Sequence, residues 1–297
     1  MKFRKLASIL MVSALFLTGC ASSNSGKSEE NTTPKEESKK VVAGSVASAQ
    51  VLDGIGAEVV GIPTTKLELP ESLKGLPEIG QSMSPDLEIV ASLSPDVFVM
   101  DKMFKEKVEE SMKSYDLNTF FFDTTTYSNF LASIEKLGEE VGKKNEANKL
   151  INSLKESEKE VAKLKGDKDV TVAILFGGGE NFMLATEDSY LGDLVKTVGA
   201  KNIASNLNGK VESAYMQFSL EQILEQNPDY ILRFAHGNLE ETKKAFDSAF
   251  DKNPAYAELD AVKNNKVIDL DPNIFNVSAN LKVTEAIKTL GDVLYGE

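Results

Sequence analysis

The chain has 297 residues, 41% hydrophobic and 27% charged, with a formal net charge of −13, one Cys, one His and no Trp. That length suggests about two lobes, each large enough to bury a core. One Cys and one His exclude a disulfide framework and a zinc site built on those residues, and they leave little for a Ser/His/Asp or Cys/His catalytic set. The acidic balance argues against nucleic acid as a partner, because that binding rests on clustered Lys and Arg meeting phosphates.

Lys2, Arg4 and Lys5 precede an apolar run from Leu6 to Leu17 that is short for a bilayer span. This is the pattern of a secretory signal peptide over residues 1–19. Leu17-Thr18-Gly19-Cys20 closes it and resembles the bacterial lipobox, which implies that Cys20 carries a lipid. Residues 20–40 are Ser, Asn, Lys, Glu and Thr with almost no large apolar side chain, too little buried surface to offset ordering, and read as a flexible tether. The expected address is the outer face of a cell membrane, reached through a lipid because so acidic a body gains nothing from an anionic bilayer.

Val41–Ala43, Glu58–Ile62, Asp96–Met100 and Thr119–Phe122 then read as strands, with helices beginning near Ser48, Ser84 and Met103, so that residues 41–127 form an N-terminal α/β lobe. Phe130, Ile134, Leu137 and Val141, continued by Ala147, Leu150, Ile151, Leu154, Val161 and Leu164, recur at helical spacing. Residues 128–166 are therefore one long helix or two in tandem, and so stiff a connector predicts little closure of the lobes. In the C-terminal lobe, residues 167–297, strands are expected at Thr171–Phe176, Phe182–Ala185, Tyr230–Phe234 and Lys266–Leu270, with helices after Ser189, Ser219, Leu239 and Ser278. The fold class is α/β, two parallel-sheet lobes joined by a long connecting helix. Gly177-Gly178-Gly179-Glu180 lacks the ending of a phosphate loop and reads as a turn. Met103, Phe104, Phe182, Met183, Tyr215, Met216 and Phe275 are candidates for the lining of an apolar pocket, with core packing the favoured alternative for each.

The halves share a signature. Leu87, Glu88, Val90, Pro95 and Asp96 align at a spacing of 133 with Leu220, Glu221, Ile223, Pro228 and Asp229. Each describes a short helix ending in Pro-Asp and entering a strand, and two such lobes leave a cleft at the carboxyl ends of their strands.

Lipobox, tether, paired lobes, central helix and repeated signature together resemble the substrate-binding proteins that deliver ferric siderophores, cobalamin or haem to ABC transporters. Within that class, Leu76-Pro77-Glu78-Ile79-Gly80-Gln81-Ser82-Met83-Ser84-Pro85 and Arg233-Phe234-Ala235-His236-Gly237 are similar to the haem receptor lipoproteins of the iron-regulated surface determinant system of Gram-positive bacteria. The resemblance implies a carrier rather than an enzyme, with haem as the transported ligand and Met83 and His236 as its axial ligands. It also implies an ABC permease with its ATPase as recipient and surface haem-donor proteins upstream. The residue chemistry agrees, since a thioether and a neutral imidazole are both axial donors to haem iron. Met216, at the repeat offset from Met83, is the rival thioether.

For the propionates, the resemblance points to Thr64, Thr65 and Lys66, although the family's neighbouring Tyr is missing here. The turn Ser45-Val46-Ala47-Ser48 offers backbone N–H groups and an apolar wall. Arg233, the only Arg beyond the leader, is either a propionate partner or a strand-end charge. Glu106, with Glu240 or Glu241, holds the place of the rim carboxylates that meet permease Arg residues in this class. The competing functions are a ferric-siderophore or cobalamin receptor of the same fold and an anchored hydrolase.

Overall fold

The structure, a computed structural model, describes residues 38–178, 181–207, 213–235 and 239–296. In the first lobe β1 (Lys40–Ala43), α1 (Val46–Gly54) and β2 (Glu58–Gly61) are followed by a small antiparallel hairpin, β3 (Gly80–Gln81) and β4 (Ser84–Pro85). Then come α2 (Leu87–Ser92), β5 (Val97–Asp101), α3 (Lys105–Lys113) and β6 (Thr119–Phe122). The sheet runs β2-β1-β5-β6, all parallel. Every residue of β5 is buried, as befits a central strand covered on both faces. Gly44 turns the chain from β1 into α1 with its N–H on the Val99 carbonyl at 2.7 Å. A Cβ there would also sit 2.7 Å from that oxygen, so the close approach requires glycine.

The connector is two helices in tandem, α4 (Tyr127–Glu140) and α5 (Lys144–Lys165), broken at Gly142, whose φ is +69°. At 22 residues α5 is about 33 Å long. The apolar stripe legible in the sequence is its buried face: Ala147, Ile151, Leu154 and Val161.

The second lobe contains β7 (Thr171–Gly178), β8 (Asn181–Ala185), α6 (Tyr190–Thr197), β9 (Lys201–Asn202), β10 (Tyr215–Met216) and α7 (Leu220–Gln226). It ends with β11 (Tyr230–Phe234), α8 (Leu239–Lys252), α9 (Asp260–Lys263), β12 (Val267–Asp269) and α10 (Val283–Tyr295). Its sheet runs β10-β8-β7-β11-β12, with β9 beside β7; β7, β9, β11 and β12 are parallel, β8 runs antiparallel to β7, and β10 pairs antiparallel with β8 and so returns to the common direction.

Two expected helix starts move. The helix placed near Ser84 begins at Leu87, because Ser84 and Pro85 pair as β4 and Asp86 caps the helix through the N–H groups of Glu88 and Ile89. The helix placed after Ser278 begins at Val283, since residues 271–282 form a loop of Asn and Asp turns. The repeat holds in its backbone detail: Ser94 and Asn227, equivalent across the offset, both end their helices in the left-handed region at φ 48° and 39°.

One core cluster runs from Val41, Phe122 and Phe130 through Ile134, Leu154 and Val161 to Val172, Leu194 and Leu290. The connector is thus part of the core that both lobes share. Separate clusters pack the outer face of each sheet.

Candidate functional site

A cleft of about 810 Å³ opens at the carboxyl ends of the first-lobe strands, where ligands gather in open parallel sheets. One wall is built from Ser45 and one side of α1 (Val46, Ala47, Gln50, Asp53 and Gly54), the loop 67–71, Ser82 at the hairpin tip, Asp101 at the end of β5 and Phe104 beyond it. The opposite wall is the second-lobe loop, from Pro272 to Lys282.

Ser45 and Ser48 form a reciprocal cap on α1. Ser48 N–H donates to Ser45 Oγ at 3.2 Å, and Ser45 N–H donates to Ser48 Oγ at 3.1 Å. Both hydroxyls are buried and occupied in this cap, and Ser48 lies beneath the cleft wall rather than on it. Val46 and Ala47 line the cleft, and as first-turn residues their N–H groups have no intrahelical acceptors. Such a helix start suits a carboxylate.

Thr64, Thr65 and Lys66 stand behind the wall. The Thr64 hydroxyl donates to Glu78 at 2.8 Å and its N–H to the Gly80 carbonyl at 2.8 Å, while the Thr65 hydroxyl accepts from Leu67 N–H at 3.0 Å. These two hydroxyls shape the loop and deliver Leu67 to the cleft, and Lys66 is exposed beside it.

Met83 occupies the turn of the β3–β4 hairpin, 56% exposed, with its carbonyl accepting from Lys107 Nζ at 3.2 Å. Its rival Met216 is half-buried in β10 and packs on the second-lobe core, the ordinary use of a methionine. His236 and Cys20 lie outside the described residues; β11, which leads to His236, ends at Phe234.

Arg233 is 5% exposed and committed elsewhere. Its Nε and Nη2 donate to the two oxygens of Asp269, each at 2.7 Å, and Nη1 donates to Asp247 at 2.9 Å. The guanidinium lies over the Phe246 and Phe250 rings. Burial works against its charge, but the two carboxylates outweigh that and push its pKa above the ordinary value. Of the two sequence readings, the strand-end charge is the one this geometry supports, because its fork is filled from within its own lobe. Glu106 and Glu240 are exposed on the first turns of α3 and α8.

Sequence reasoning missed Asp101 and the second-lobe wall. Asp101 carries a signal, since it closes β5 at the carboxyl edge of the sheet, and Phe104 takes the pocket-lining place that was the less favoured of its two sequence readings. The Asp101 carboxylate accepts from Met103 N–H at 3.0 Å and from the Thr124 hydroxyl at 3.1 Å, and burial holds its pKa above the usual carboxylate value. Leu67, Leu69, Phe104 and Leu281 give the cleft its apolar lining, which it shares with the carboxylates of Asp53, Glu68, Glu71 and Asp101 and the ammonium of Lys282. Among the described residues no group of three His, Cys, Asp or Glu side chains is placed to hold a bare metal ion.

Residues 41–274 match the model of the periplasmic binding protein family. Over 300 residues, 99% of each chain, the sequence is 35% identical to the high-affinity heme uptake system protein IsdE of Staphylococcus aureus. An ABC transporter substrate-binding protein from Listeria monocytogenes superposes with a TM-score of 0.78 at 34% identity, covering 88% of this chain and all of the other. The structure of S. aureus IsdE complexed with heme superposes with a TM-score of 0.72 at 34% identity, covering 86% of this chain and 99% of the other.

Proposed function

The chain belongs to the periplasmic binding protein family, and from that footing we propose that it is a lipid-anchored, extracytoplasmic haem receptor that passes haem to an ABC permease and its ATPase. The observation that carries this reading is Met83: a thioether held in solvent on a hairpin tip beside the cleft, in a chain that matches haem uptake proteins along its whole length.

In this reading Met83 from the first lobe and His236 from the second bind the iron from opposite faces, and the porphyrin supplies the remaining four donors. Val46 and Ala47 N–H groups receive a propionate, with Lys66 as a nearby cation. Phe104, Leu67 and Leu281 cover the ring edges and exclude water. Cys20 carries the lipid, the segment from Cys20 up to β1 forms the tether, and the two lobes are β1 to residue 127 and residues 167–297. Glu106 and Glu240, one on each lobe, meet Arg residues of the permease, and surface proteins supply the haem. The protein carries its ligand without changing it.

Titrating the purified protein with ferric haem tests the proposal. Stoichiometric uptake with a sharp low-spin spectrum is expected. A protein that stays colourless with haem but is thermally stabilised by a ferric siderophore would replace this reading with the siderophore-receptor one.

A further inference from the structure

Of the methionines among the described residues, Met100 and Met112 are buried and Met183 and Met216 are half-buried, but Met83 and Met103 are 56% and 64% exposed. Both stand on first-lobe segments at the cleft. Met83 follows Ser82 and Met103 precedes Phe104, and each of those neighbours lines the cavity. Both backbones are fixed while their side chains are free. Met103 N–H donates to the buried Asp101 carboxylate, itself held by Thr124. The Met83 carbonyl is held by Lys107, which lies about one turn beyond Met103 on the helical stretch that opens at Lys102 and continues as α3. The helix that carries one exposed thioether therefore grips the turn that carries the other.

We propose that Met103 is a second thioether ligand for haem iron, taking the iron from Met83 as haem enters or leaves the cleft. The inference rests on the haem-binding reading above. In the exchange the Fe–S bond to Met83 breaks as an Fe–S bond to Met103 forms; both sulfurs are neutral, so no proton or electron moves and the charge of the complex is unchanged. Three rotatable bonds and a polarizable sulfur suit methionine to such a relay. The iron then need not lose its first-lobe ligand outright while the recipient approaches.

The test compares full-length wild type, Met83→Ala and the double variant Met83→Ala/Met103→Leu, in which leucine keeps the apolar contact and removes only the sulfur. Ferric haem complexes are examined for the long-wavelength charge-transfer band of thioether ligation by absorption and magnetic circular dichroism, and for the rate of haem loss to a scavenging apoprotein. Met83→Ala is expected to keep a thioether band, and the double variant to lose it and release haem roughly tenfold faster than the single variant. A single variant already without the band, with the same release rate as the double, overturns the proposal. Wild type that takes up no haem overturns the haem reading itself, a separate outcome. Because both side chains are exposed, unchanged far-UV circular dichroism is expected in all three proteins and serves as the folding control.

Discussion

The Asp193 carboxylate on α6 accepts both the backbone N–H of Ser128, at 2.8 Å, and its hydroxyl, at 3.2 Å. One second-lobe side chain thereby caps the start of the connector, in a setting where Asp193 is 9% exposed. Next to it, the Tyr127 hydroxyl donates to Glu158 at 2.6 Å and so ties α4 to α5. Removing Asp193 leaves a partly buried N–H without its acceptor and deletes two bonds to a charged group. Asp193→Ala should cost about 2–3 kcal/mol in urea unfolding. Its haem spectrum should match wild type, because the pair lies outside the cleft lining.

Met83→Ala and His236→Ala should each alter the ferric haem spectrum, through loss of one face of the coordination. His236→Ala is expected to do so more drastically, as no other imidazole exists in the chain. Unaltered spectra in both variants would show that the iron is held by other groups.

Lys102 and Asp123 make a pH-dependent contribution to stability. Burial alone would raise the Asp123 pKa, but the bond from Lys102 at 2.6 Å, the Thr125 hydroxyl and N–H, and the Lys102 charge outweigh it and hold the carboxyl below its ordinary 3.8. The folded state therefore binds this proton more weakly than the unfolded chain does. Its stabilisation is complete above the ordinary value and disappears as the pH falls through the lowered one. Asp123→Asn should be less stable than wild type by about 1–2 kcal/mol at neutral pH, and the gap should narrow in acid below that ordinary value. A gap constant across the acid range would remove the carboxylate from this role.

Asp96 and Asp229 serve as matching staples for the two sheets. Asp96 accepts the N–H of Lys40, the first residue of β1, at 2.7 Å; Asp229 accepts the N–H and hydroxyl of Thr171, the first residue of β7, at 2.8 and 2.7 Å. Alanine at either position should cost about 1 kcal/mol, with the larger effect at Asp229. The double variant should show the sum, because the sites share no partner. Thermal unfolding of the three variants checks this.

These staples explain why the repeat was legible. Apolar positions buried against each sheet and a Pro-Asp pair at each strand entry are chemical requirements that leave fixed letters, and the strands around them appeared near their expected bounds. The β3–β4 hairpin and β9 and β10, two residues per strand, are too short to show a period. Ser278 mimics a helix cap, yet Asp271 and Asn280 side chains bond neighbouring N–H groups and hold the chain as a loop until Val283. At the site, residue type misled where partners decide the outcome: Arg233 and the hydroxyls of Ser45, Ser48 and Thr64 look available in the sequence but are engaged within the fold. Met103 looked like core because methionine usually is, and its exposure depends on where the turn after β5 leaves the sheet.

The core that both lobes share makes the described body a single thermodynamic unit. A half-chain cut near Gly142 would expose the apolar faces of α4 and α5 to water, so neither half is expected to fold alone, and heat should melt the body in one cooperative transition. Linkage then carries ligand binding through the entire molecule: haem at a hundred times its dissociation constant would add about 2.7 kcal/mol to that one transition. Loading the cleft would therefore protect distant segments such as α10 from proteolysis, and the loaded and empty carriers would differ in lifetime as well as in colour.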